Sequence, residues 1–205
     1  MFNIHWLQMD YKGKHAFSGI QYVNQRASEH QGQLPFNKRY MQPNETGNVI
    51  NAIIGYQNKG FSTSLAYLHS FNTGRFLFPR ELGRENFYVS QLRSWIDGFG
   101  DTDIWMLRFK YRPTNERWKD LSLDARISQT IVSDKDNPTS NKYKLPSFYQ
   151  LTFLGKYKCH GWYDGLTLNL VYVTKYAPSS ENLNQAQKFY QSGFHHFSFM
   201  MNLSF

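Results

Sequence analysis

At 205 residues, with no internal repeat, linker or low-complexity tract, the chain reads as one domain spanning 1–205. It holds 14 Tyr, 17 Phe and 5 Trp yet has a mean hydropathy of -0.60, and no run approaches the ~18–20 apolar residues of a transmembrane helix, so a helical membrane protein is excluded. The single Cys159 excludes an internal disulfide and a cysteine-based metal centre, and the net charge of +8 comes from dispersed Lys and Arg, without the basic run or motif of a nucleic-acid binder.

Alternation of apolar and polar residues marks nine strands in chain order: 2–10, 15–25, 49–57, 61–71, 102–111, 120–132, 148–158, 166–175 and 194–205. The connections between them alternate. Those at 11–14, 58–60, 112–119 and 159–165 are short; those at 26–48, 72–101, 133–147 and 176–193 are long and polar. This parity is the layout of a bacterial outer-membrane barrel, with short periplasmic turns and long outer loops. It predicts an all-β antiparallel meander of about nine to ten strands, each paired with its sequence neighbour. The segment 87–96 could itself be a strand, but counting it would break the parity. We therefore expect 72–101 to be one long loop with an internal extended piece, folded into the lumen.

The strand faces follow from the period of two. One face carries Trp105, Leu107, Phe109 and Tyr111, then Leu121, Leu123, Ala125 and Ile127, then Tyr149, Leu151, Phe153, Gly155 and Tyr157, then Leu166, Leu168, Leu170 and Tyr172. Aromatics end these rows, as at a membrane–water interface. The last strand repeats the pattern with Phe197, Phe199, Met201, Leu203 and Phe205, and the isolated chain should expose this band. The opposite face carries Arg108 and Lys110, then Ser122, Asp124, Arg126 and Ser128, then Gln150, Thr152, Lys156 and Lys158, then Thr167, Asn169 and Lys175. That face is expected to be a wet interior. The rival assignment is a soluble β-sandwich, in which these charges would sit on a solvated outer face. Met1 is followed at once by strand-like sequence, so the chain is expected to be mature or truncated.

The loop Phe78-Pro79-Arg80-Glu81-Leu82-Gly83-Arg84-Glu85-Asn86-Phe87-Tyr88 resembles the FPREWGREPFF-type loop of OprD-like outer-membrane porins. Asp97-Gly98-Phe99-Gly100-Asp101 resembles the close of that loop. The stretches Leu145–Leu151 and Gly165–Val173 resemble the last hairpin, and the Phe-ended strand matches too. Asn86 departs from the pattern, as does Ser90-Gln91-Leu92-Arg93. The resemblance implies the C-terminal half of an 18-stranded transmembrane β-barrel in the bacterial outer membrane, passing small anionic or zwitterionic solutes. It also implies contact with outer-membrane lipid and lipopolysaccharide, recognition by the barrel-assembly machinery through the strand ending at Phe205, and allows a homo-oligomer.

A porin selects by fixed charge in a narrow path rather than by catalysis. The candidate path residues are Arg108 and Arg126 on neighbouring strands, Lys110 and Lys156 deeper in, and Arg80, Arg84 and Arg93 in the long loop. Glu81 and Glu85 would oppose them or pair with them. No metal, cofactor or catalytic residue is expected. Two other readings stay open. One is a barrel hydrolase built on His69, His160, His195 or His196, although no Gly-x-Ser-x-Gly elbow or His-Glu-x-x-His motif occurs. The other is a structural or adhesive barrel without a pore.

Overall fold

The computed structural model describes residues 2–29, 33, 41–43, 45–78, 85–94, 96–178 and 193–204. Its strands are β1 Phe2–Lys12, β2 Ala16–Ala27, β3 Thr46–Asn58, β4 Phe61–Ser70, β5 Thr102–Tyr111, β6 Leu121–Val132, β7 Phe148–Lys158, β8 Leu166–Tyr176 and β9 Phe194–Leu203. They form one sheet in sequence order, every neighbouring pair antiparallel. The predicted meander is therefore the observed one. The sheet is not closed, and β1 and β9 are its edges. The predicted terminal residue Phe205 lies outside the described residues.

Register explains why these strands pair as they do. A one-residue slip would turn every apolar side chain to the wrong face. In the observed register Leu65, Leu107, Ile127 and Leu151 stand side by side across β4 to β7. All four are between 37% and 51% exposed, and at the β1 edge Leu7 and Met9 reach 69% and 72%. Trp105, Phe109, Phe199 and Met201 are exposed as expected, but Leu168 and Leu170 are only half-exposed. Their cross-strand neighbours Tyr157, Gly155, Met201 and Phe199 flank them on both sides.

The other face is not uniformly wet, and here the sequence-based expectation needs correcting. Residues from the 72–101 loop pack onto it. Phe76, Phe87, Val89 and Ile96 form a dry cluster with Val23, Val49, Leu68, Ile104 and Met106 of the wall. Trp6 stacks on Phe87 with ring centroids 4.8 Å apart. Ser128, Gln150 and Thr152, expected to face water, are buried against this loop, and Lys175, expected to do the same, is buried beside Phe148 and Phe194. Among the described residues of 87–96 no strand forms; they make turns and one isolated bridge between Gln91 and Ser94. At the base of the loop Phe76 bridges Phe99, and Phe99 bridges Asn141. Phe76 N–H donates to Phe99 O at 2.9 Å and Gly100 N–H to Ser140 O at 2.7 Å, fastening two long connections together.

Candidate pore wall

Buried polar groups need partners, and inward-facing amides of the wall supply them to the loop backbone. Gln25 of β2 bonds both sides of one peptide position: its Nε2 donates to Leu77 O, and Leu77 N–H donates to its Oε1 at 2.8 Å. Asn51 of β3 accepts Tyr88 N–H at 2.6 Å through Oδ1 and donates to Tyr67 O at 2.7 Å through Nδ2. Gln21 donates to Asn86 O at 3.0 Å and Gln150 to Leu92 O at 2.7 Å. Gln91 reaches back to Ser128, and Ser94 to Gln150. Gly19 of β2 leaves the space through which the Tyr88 hydroxyl reaches Asp10 on β1; a Cβ there would lie 2.3 Å from that oxygen.

Among the described residues, the loop packs on the long-loop half of the inner wall. Along β5 the inward residues Thr102, Ile104 and Met106 are buried, Arg108 is intermediate and Lys110 is exposed. Along β7 Phe148, Gln150 and Thr152 are buried, whereas Lys156 and Lys158 are exposed. The open half is thus the cationic half.

Arg108 and Arg126 come together as direct cross-strand partners. Two like charges in that position repel. Asp124, two residues along β6 on the same face, takes both. Arg108 Nε lies 2.9 Å from Asp124 Oδ1, and its Nη2 bonds Oδ2. Arg126 Nε and Nη2 reach the same carboxylate at 3.2 and 2.9 Å, and its Nη1 donates to Ser90 O at 3.2 Å. The forked guanidinium suits this shared, two-oxygen arrangement. Lys110 stands opposite Asp124 in register. Arg108, Lys110 and Arg126 against the one carboxylate of Asp124 leave two positive charges uncompensated in this cluster.

The remaining candidates scatter. Lys156 faces Ser122 one inner row nearer the short turns and is exposed. Arg93 is exposed with φ +62, its Nη2 3.5 Å from His196 Nε2 of β9. Beside it lies a groove of about 370 Å³ floored by Val171, Val173 and Met200. Arg80, Arg84 and Glu81 lie outside the described residues. Glu85 is not a pore-facing counter-charge: it is buried within the loop, and its Oε1 accepts Ile96 N–H at 2.9 Å. Lys175 is buried too, its ammonium 4.2 Å from the Phe148 ring centroid and 5.9 Å from that of Phe194.

On the long-loop side Arg75 and Glu45 join two connections in a half-buried pair, Nε to Oε1 at 2.7 Å. Burial pushes the Glu45 carboxyl up, but the Arg75 guanidinium and the backbone N–H groups of Gln42 and Arg75 outweigh it and hold it below its ordinary value. Sequence reading missed this pair because its members are 30 residues apart.

No protein-family model and no curated protein sequence matches the chain. Solved structures do. The chain is similar to OccK10 (OpdN) of Pseudomonas aeruginosa, with a TM-score of 0.64 and 10% identity over 85% of this chain and 48% of that one. It is similar to OccAB2 of Acinetobacter baumannii, with a TM-score of 0.63 and 14% identity over 88% of this chain and 44% of that one. Both are OprD-family porins. The chain spans a little under half the length of these structures, and its fold is that of an open nine-stranded section of a β-barrel porin.

Proposed function

We propose that the chain forms part of the wall of an outer-membrane pore for passive diffusion of small hydrophilic solutes, with a preference for anions and zwitterions. The observation that carries this reading is the division of the inner wall. A docked loop fills its long-loop half, and the open half presents Arg108, Lys110, Arg126 and Lys156 against Asp124. A charged wall beside a restricted aqueous path concentrates ions of opposite sign. The exposed apolar band on the opposite face is read as the lipid contact, its aromatic ends meeting headgroups and lipopolysaccharide.

Strand parity constrains how such a wall closes. With nine antiparallel strands, β1 and β9 run in the same direction. A second copy related by a two-fold along the barrel axis would pair β1 with β9 in parallel at both seams. A complementary meander of odd strand number and opposite phase closes it with antiparallel seams throughout. On this reading the strand that ends at Phe205 is the one that the barrel-assembly machinery engages.

Liposome swelling with the reconstituted pore separates this reading from a closed barrel or a barrel enzyme. Arg108→Glu and Arg126→Glu are expected to lower the ratio of anion to cation permeability while neutral solutes of similar size pass as before. Unchanged reversal potentials in both variants would overturn the cationic-path reading.

A further inference from the structure

We propose that the groove where the first two short turns meet the end of β5 binds phosphate-bearing anions that carry two or more negative charges. The groove has a volume of about 540 Å³ and is lined by Lys14 and His15 from the first turn, Lys59 from the second, and Lys110 and Arg112 from β5 and its end. No Asp or Glu lines it. Among the described residues, none of Lys14, Lys59, Lys110 or Arg112 forms an ion pair with a carboxylate. The carboxylate opposite Lys110, Asp124, is already shared by two guanidinium groups. Arg112 has a weak hydrogen bond to the Ser122 hydroxyl at 3.3 Å.

The cations converge because the backbone fixes their carriers. Gln57 N–H donates to His15 O at 2.7 Å, which joins the first turn to β3. Arg112 N–H donates to Gly60 O at 2.7 Å, which joins the second turn to the end of β5. Lys59 and Gly60 form a two-residue hairpin loop with φ +41 and +82, the positive pair that such a turn requires. Gly60 is obligatory for a second reason: a Cβ there would lie 1.9 Å from Arg112 O. The frame thus exists before any ligand arrives.

Ligand class follows from charge count and donor geometry. A monocarboxylate neutralises one of four cations and leaves three in mutual repulsion. Lysine ammonium groups are compact point charges that accept a phosphate in many orientations, and the one Arg adds a planar fork. The match is a multivalent phosphate, not a single carboxylate. This site goes beyond the permeation path, because it lies at the short-turn mouth and holds its ligand there.

The test is titration calorimetry of the intact protein in detergent, with sodium tripolyphosphate and, as reference, sodium acetate. Tripolyphosphate is expected to bind at least tenfold more tightly than acetate, and more weakly as salt rises. The double variant Lys14→Gln/Lys59→Gln, and separately Arg112→Gln, should each weaken tripolyphosphate binding at least fivefold, with strand content by circular dichroism unchanged. The triple variant Arg108→Gln/Asp124→Asn/Arg126→Gln, which removes the permeation-path guanidinium groups without releasing a carboxylate beside Lys110, should leave it within twofold. Equal affinity for acetate and tripolyphosphate, or full tripolyphosphate affinity in both groove variants, would overturn the proposal. Loss of binding in Arg108→Gln/Asp124→Asn/Arg126→Gln alone would place the phosphate in the permeation path and overturn it too. The permeability ratio of the groove variants is read separately, so failure of this site and failure of the anion path are distinguishable.

Discussion

Replacing Gln25 with Leu tests the docking of the loop most sharply. Gln25 and Leu77 are both fully buried, and the Gln25 amide satisfies both the N–H and the C=O of Leu77. Leucine has nearly the same volume and adds apolar contact, so the loss falls on hydrogen bonding alone. Two buried backbone groups would be left unpaired, each costing about 1–3 kcal/mol. The docked loop should therefore weaken by roughly 2–6 kcal/mol, and every 1.4 kcal/mol is about tenfold in an equilibrium. Local opening should rise at least ~30-fold. Hydrogen exchange read by mass spectrometry reports it directly, on peptides covering 72–78 and 85–94, with β6–β7 peptides as internal reference. Exchange in those loop peptides within about threefold of the unsubstituted protein would refute the claim that the amide clamp holds the loop.

Two further outcomes follow from particular contacts. The Glu45 carboxyl is held below its ordinary value of 4.5, so its share of stability is complete above that value and is lost as pH falls through the depressed one. In Arg75→Gln the guanidinium's share of that depression is gone, so less stability remains to be lost on acidification: exchange in 42–48 and 72–76 should be faster at neutral pH and should rise less as pH falls; identical acid profiles would count against the pairing. On the outer band, Leu107→Lys places a charge where lipid is expected, at a cost of about 2–4 kcal/mol near the bilayer midplane. Urea unfolding from lipid vesicles measures this, and a change below ~0.5 kcal/mol would argue that this face does not meet lipid.

The strands were legible because one pattern, an exposed apolar face alternating with a wall face, repeats in each of them. β5 and β7 run over the predicted residues end to end, and β3 begins three residues before its prediction at Thr46. The loop's position was legible in part. Val23, Leu68, Ile104 and Met106 are apolar at inward positions of strands whose outward residues are apolar too, and a segment apolar on both faces is buried on both. What could not be read was which polar residues face the loop rather than water. Gln25, Asn51 and Gln150 have the same parity and the same chemistry as water-facing amides, and only the docked backbone distinguishes them. The Arg108–Asp124–Arg126 triad was hidden likewise. Its members were each placed inward, but their pairing depends on a cross-strand register that one sequence does not specify.

The central claim is that the concave wall carries excess positive charge where ions pass, and Asp124 is its most direct probe. The carboxylate screens both Arg108 and Arg126. A unit charge about 6 Å from a passing ion in bulk-like water is worth ~0.7 kcal/mol, or about threefold in local ion concentration before salt screening. Reversal potentials of the reconstituted pore in a salt gradient should therefore shift toward anions in Asp124→Asn, raising the permeability ratio by about two- to threefold. The same potentials should shift toward cations in Arg126→Glu. A pore whose reversal potential is the same in Asp124→Asn, Arg126→Glu and the unsubstituted protein would contradict the account.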